Sequence, residues 1–116
     1  MASSDSATVV LTAENFAREI ETHPGLALVD FWATWCGPCQ IVAPTVERLA
    51  EEHRGRVKVG KLDVDAHPEV AQRYRIRSVP TVLIFRNGAP VDAVVGAQPK
   101  AVFDRKLAEH SAGAAA

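Results

Sequence analysis

Apolar and polar positions along this chain switch between two rhythms, and the switches mark its elements. "TVVL" at 8–11 is a short apolar stretch of strand type. Thr12 stands where a side chain would cap a helix over 13–21, in which Phe16, Ala17 and Ile20 fall at helical spacing. His23-Pro24-Gly25 breaks that pattern. "LALVDFW", residues 26–32, is a near-continuous apolar run of strand length, as expected of a strand covered on both faces in a parallel sheet. Ile41, Val42, Thr45, Val46 and Leu49 then form one face of a helix, interrupted by Pro44, which is expected to kink it. "VKVGKLDV" is the next strand, and Pro68 suits the first turn of a short helix ending at 74. "TVLIF" and "APVDAVV" flank Asn87-Gly88, a hairpin signal because both turn positions need positive φ. Pro99 opens a last amphipathic helix with Phe103 and Leu107 facing inward. The order is β-α-β-α-β-α-β-β-α. Alternation closed by a hairpin predicts an α/β fold with a mixed sheet and helices on both faces.

Composition narrows the class. A chain of 116 residues fits one domain and can bury a core without disulfide staples. The net charge of −1 gives no general pull toward nucleic acid. No apolar run approaches membrane-spanning length. The start, "MASSDSATVVLT", lacks a basic n-region, and its apolar part is too short for a signal peptide. A cytoplasmic, reducing location is therefore expected. Both ends are small and polar or featureless, so residues 1–7 and 111–116 are expected to be flexible around a domain at 8–110.

The only two cysteines, Cys36 and Cys39, change the picture most. In a reducing compartment a CxxC pair reads as redox-active or metal-binding rather than as a staple. Cys36 lies where strand gives way to helix, and free N–H groups there favour a thiolate, the nucleophilic form. Spacing of three in a first helical turn brings both sulfurs to one face, close enough to bridge. Cys36 could then attack a substrate disulfide and Cys39 resolve the mixed disulfide. Pro38 fits that first turn. Two plainer readings stand beside this one. The pair could be unreactive small residues, or half of a zinc site, although His23, His53, His67 and His110 show no ligand spacing.

Asp30 is the second anomaly. On a strand it shares a face with Leu26, Leu28 and Trp32. A carboxylate buried there costs free energy unless paired or protonated, and desolvation should raise its pKa toward the range of a general base.

"DFWATWCGPC" resembles the active-site segment of the thioredoxin family. The likeness continues through "KLDVD", "IRSVPT", "FRNGAPV" and "VGAQPK" in the family's order, over residues 8–109. The resemblance implies the thioredoxin fold, with a central five-stranded mixed sheet flanked by four α-helices. It implies a Cys36–Cys39 redox disulfide whose dithiol form reduces protein disulfides, with Cys36 the exposed nucleophile and Cys39 the buried resolving thiol. It implies no bound cofactor and no metal. A flavoprotein thioredoxin reductase would restore the dithiol, ultimately from NADPH.

By the same resemblance, Asp30 transfers a proton with Cys39, through water, and Lys61 tunes it. The plainer reading is a buried Asp–Lys pair with no catalytic task. Pro80 would be cis and face the cysteines, leaving the Val79 backbone free to pair with an extended substrate. Its plain explanation is a strand start that needs no N–H. Trp35, Gly37, Pro38, Val79, Pro80, Gly96 and Ala97 would form a flat apolar docking surface, with ordinary loop packing as the alternative. Trp32 reads as structural, and Phe31, Phe85 and Phe103 as core.

Three features depart from the family pattern. Gln40 stands where many relatives carry a basic residue, which removes a charge near the dithiol. Arg75 stands where relatives often have glycine, and a left-handed conformation there would cost up to ~1 kcal/mol. Arg73, Arg75 and Arg77 cluster just before Pro80, either as a solvated face or as a basic lip that favours acidic partners. No cysteine lies outside the motif to link a dimer, so a monomer is expected. Two other functions compete with reduction. One is disulfide oxidation or isomerisation, disfavoured by Gly37-Pro38. The other is a non-catalytic, redox-sensitive scaffold.

Overall fold

The computed structural model describes residues 7–115. Its centre is one sheet of five strands: β1 (Thr8–Leu11), β2 (Leu26–Trp32), β3 (Val57–Asp63), β4 (Thr81–Arg86) and β5 (Ala89–Val95). Their spatial order is β1-β3-β2-β4-β5. β3 runs parallel to β1 and β2, whereas β4 is antiparallel to β2 and β5, so the sheet is mixed as expected. Helices α1 (Gly37–Glu52), α2 (Pro68–Arg73) and α3 (Lys100–Ala115), with a π-helix at Ala17–Glu21, complete the four helices. None of the described helices is long and apolar enough to cross a membrane.

β2 is central, and its side chains divide between two cores. Leu26 and Leu28 pack with Val42, Val46 and Leu49 of α1 and with Phe103 and Leu107 of α3. Ala27, Val29 and Phe31 pack on the other face with Phe16, Ile20, Val70 and Phe85. Phe16, Phe31, Phe85 and Phe103 are fully buried, each contributing roughly 1.5–3 kcal/mol by removal from water. The period of two along β2 puts Asp30 on the α1 side, in line with Leu26 and Leu28.

The first helix differs from its expectation. Thr12 does cap a turn: Asn15 N–H donates to Thr12 Oγ1 at 3.0 Å, and Thr12 N–H donates to Asn15 Oδ1 at 2.7 Å. The chain then winds wider than an α-helix, with Thr22 N–H reaching back five residues to the Ala17 carbonyl at 2.9 Å. The Thr22 hydroxyl also donates toward Ala17 and Arg18 carbonyls at 3.1 Å. At the other end of the chain, α3 runs to Ala115. The expectation for residues 1–7 lies, but for Ala7, outside the described residues.

Two positive-φ positions behave as their residues predict. Asn87 (φ 52°) and Gly88 (φ 86°) make the hairpin turn, and a Cβ on Gly88 would overlap the Glu21 carbonyl. Arg75 adopts φ 57° after α2, the left-handed conformation that glycine would take without strain. α1 runs through Pro44, which is exposed, as is the Gln40 carbonyl's residue one turn earlier, so solvent can satisfy the group the proline leaves without a donor.

Candidate active site

The site lies at the carboxyl end of β2, where the chain leaves the sheet and enters α1. Cys36 is the N-cap, with extended backbone (φ −92°, ψ 108°), and the Cys39 N–H donates to Cys36 Sγ at 3.1 Å. Pro38 occupies the first turn, where its missing N–H is no loss. Cys36 and Cys39 are joined as a disulfide, with Cα atoms 5.3 Å apart.

The expected contrast between an exposed Cys36 and a buried Cys39 is not found in this oxidised form. Both cysteines are 3% exposed. They form a small apolar cluster with Ala33, against which Trp32, Val64 and Val79 pack. What separates them is direction. Cys36 Sγ lies 3.6 Å from the Val79 carbonyl oxygen, on the side of the Pro80 loop. Cys39 faces inward and lines a cavity of about 130 Å³ with Asp30, Trp32, Ala33, Thr34, Gln40, Ala43 and Lys61.

Asp30 is 4% exposed, and its Oδ1 has no hydrogen-bond partner. Desolvation pushes its pKa up from 3.8 to about 7, against the opposing pull of the Lys61 charge. Lys61 is the residue beside Asp30 in the β2–β3 register. Its ammonium sits 5.8 Å from the centroid of the Trp32 ring, so Trp32, read as structural, also holds the cation that faces Asp30. The cavity is large enough for water.

The Val79–Pro80 peptide is cis. Pro80 is buried, and its carbonyl accepts the Gly96 N–H at 2.9 Å, which ties the Gly96-Ala97 loop to this edge. Trp35 is 70% exposed, and its indole N–H donates to Asp65 Oδ2 at 2.7 Å. Gly37, Pro38 and Ala97 are exposed, while Val79 and Gly96 are half-buried. Of the site residues named from the sequence, Asp30, Cys39 and Lys61 thus share one cavity, Trp35 and Val79 line a second cleft, and Gly96 is tied to Pro80.

Two residues there escaped the sequence reading. Asp65 fixes the indole; the second aspartate of "KLDVD" was its only signal. Ile41 falls on the apolar face expected of α1, yet it is 71% exposed. It lies one turn beyond Gly37 and Pro38, so it extends their apolar surface rather than the core. The candidate metal-ligand group among the described residues, Glu52, His53 and Asp104, contains neither cysteine.

The thioredoxin family model matches residues 7–109. Thioredoxin 1 of Nostoc sp. is 46% identical over 105 residues, covering 90% of this chain and 98% of the relative. Thioredoxin of Staphylococcus aureus is 46% identical over 104 residues, with 90% and 98% covered. The chain belongs to the thioredoxin family. It is accordingly a thiol–disulfide oxidoreductase, with Cys36–Cys39 as its redox centre.

Proposed function

We propose that the chain reduces protein disulfides as a cofactor-free monomer in the cytoplasm, with Cys36 as nucleophile, Cys39 as resolving thiol and Asp30 as proton acceptor. The observation that carries the assignment of roles is Asp30, its Oδ1 unpartnered, in one cavity with Cys39 and not with Cys36. The Cys39 N–H aimed at Cys36 Sγ stabilises a thiolate at Cys36. That thiolate attacks a substrate sulfur: a bond forms from Cys36 Sγ, the substrate S–S bond breaks, and the departing sulfur takes a proton. Cys39 then passes its proton to Asp30 through cavity water and attacks Cys36 Sγ. The Cys36–Cys39 bond forms, the second substrate sulfur leaves as a thiolate, and it takes up the proton that Asp30 releases through the same water. Two electrons and two protons have moved to the substrate. Lys61 tunes Asp30 by favouring its ionised form.

Trp35, Gly37, Pro38, Val79, Pro80, Gly96 and Ala97, with Ile41 added, form the surface on which substrate docks. A flavoprotein thioredoxin reductase drawing on NADPH restores the dithiol; similarity to proteins named thioredoxin supports that partner. A dithiol in a chain with no further cysteine is suited to a reducing compartment.

The test is single-turnover reduction of a disulfide-bonded protein by the pre-reduced chain. Asp30→Asn should slow resolution of the mixed disulfide about 10²-fold at pH 8 while leaving the first attack unchanged. Resolution at the wild-type rate would remove Asp30 from the mechanism. Cys39→Ser should stop at the mixed disulfide. An equilibrium potential near about −270 mV, the figure established for thioredoxin itself, fits a reductase, whereas one above roughly −200 mV would place the chain with isomerases and oxidants.

A further inference from the structure

A charge that the exchange chemistry does not use lines a cleft next to the Pro80 loop. Trp35, Val64, Ile76, Arg77, Ser78 and Val79 line a cleft of about 140 Å³, and Val79 is the residue whose carbonyl approaches Cys36 Sγ. Arg77 is the one charged residue among those six, and it is exposed.

The three clustered arginines are not equivalent. Arg73 is engaged: its guanidinium lies 2.9 Å from Glu21 and 5.6 Å from the centroid of the Tyr74 ring. Arg75 and Arg77 are exposed and make no salt bridge among the described residues. The turn that carries them is held by Arg75 N–H to the Gln72 carbonyl at 3.0 Å and Ile76 N–H to the Ala71 carbonyl at 2.9 Å. Asp65, the carboxylate that touches this cleft through Trp35, is already occupied by the indole.

We infer that Arg77 selects disulfides flanked by an acidic residue. The inference rests on the reductase reading above. An extended substrate segment in this cleft sets its reacting cysteine at Val79 and a carboxylate against the Arg77 guanidinium, whose planar fork suits a carboxylate. Arg77 and Val79 are two residues apart, and an extended chain advances roughly 3.3 Å per residue, so the acid belongs about two or three residues from the reacting cysteine. A solvent-exposed pair of this kind changes a rate by about three- to fivefold and weakens as salt shortens the Debye length.

The experiment uses two peptides, each closed by one disulfide, that differ only in carrying Glu or Lys two residues to either side of the reacting cysteine. Bis(2-hydroxyethyl) disulfide is the uncharged control. The pre-reduced full chain should reduce the Glu peptide about threefold faster than the Lys peptide at low salt, with the ratio approaching one at high salt. Arg77→Glu should invert the preference and Arg77→Gln should abolish it, with the control disulfide reduced at the wild-type rate by both. An unchanged preference in Arg77→Glu overturns the inference. An equal loss on the control disulfide also overturns it, since Arg77 would then be holding the loop rather than selecting substrate. If the wild-type chain reduces none of the three compounds, the reductase reading itself fails.

Discussion

Two aspartates in this molecule meet opposite fates. Asp30, in β2, is buried beside a small cavity with Oδ1 unpartnered, and its pKa rises to about 7. Asp92, on edge strand β5, has a side chain 22% exposed, with Lys106 Nζ at 2.9 Å and His110 Nε2 at 3.0 Å. Hydrogen bonding to His110, then to Lys106 and the Ala93 N–H, holds its pKa down at about 2 against some desolvation. The difference lies in partners rather than in the carboxyl group. Asp92 fastens α3 to the sheet. Asp30 fastens nothing and is left able to accept a proton.

The sharpest way to break the comparison is to remove the charge at Asp30. A carboxyl whose folded pKa exceeds its unfolded one binds more protons when folded, so its burial penalty is absent below about pH 4 and complete above about pH 7. Asp30→Asn should therefore gain stability relative to the wild type as pH rises from 4 to 8, by up to roughly 4 kcal/mol at 1.36 kcal/mol per pKa unit. Denaturant unfolding of the oxidised proteins at several pH values measures it. A gap that does not change with pH would show that Asp30 is not perturbed.

Asp92 should give the opposite sign. Its depressed pKa contributes stability that is present above about pH 4 and lost as pH falls toward 2. Asp92→Asn should cost about 1 kcal/mol at pH 7, after discounting for solvent screening, and nothing near pH 2. The smallest effect is expected at Lys61. Lys61→Met removes the charge that opposes desolvation, so the pH midpoint of mixed-disulfide resolution should lie above that of the wild type. A downward shift would contradict the assigned role.

Asp30 was legible in the sequence because a carboxylate inside an apolar run violates the pattern of its own strand. Asn87-Gly88 was legible because the turn needs those backbone angles, and Arg75 because its departure from glycine stands where the chain must turn left-handed. Other features were hidden for physical reasons. Ile41 could not be told from core, since a docking surface is apolar too. The cover over Cys36 comes from Val64 and Val79, far along the chain, and no local pattern reports it. The partners of Asp92 lie 14 and 18 residues away, across a turn and into α3. The π-helix keeps apolar spacing close to that of an α-helix, so its hydrogen-bond step is not written in the side chains.

The raised pKa of Asp30 also alters how the molecule as a whole would move in an electric field. The formal charge of −1 at pH 7 counts all 14 acidic residues as ionised. With Asp30 near its midpoint, each molecule instead alternates between −1 and neutrality. Electrophoretic mobility and the isoelectric point thereby become readouts of one buried proton. A partner that seals the cavity beside Cys39 would take up or expel a fraction of that proton, and the surrounding buffer would register its binding as heat.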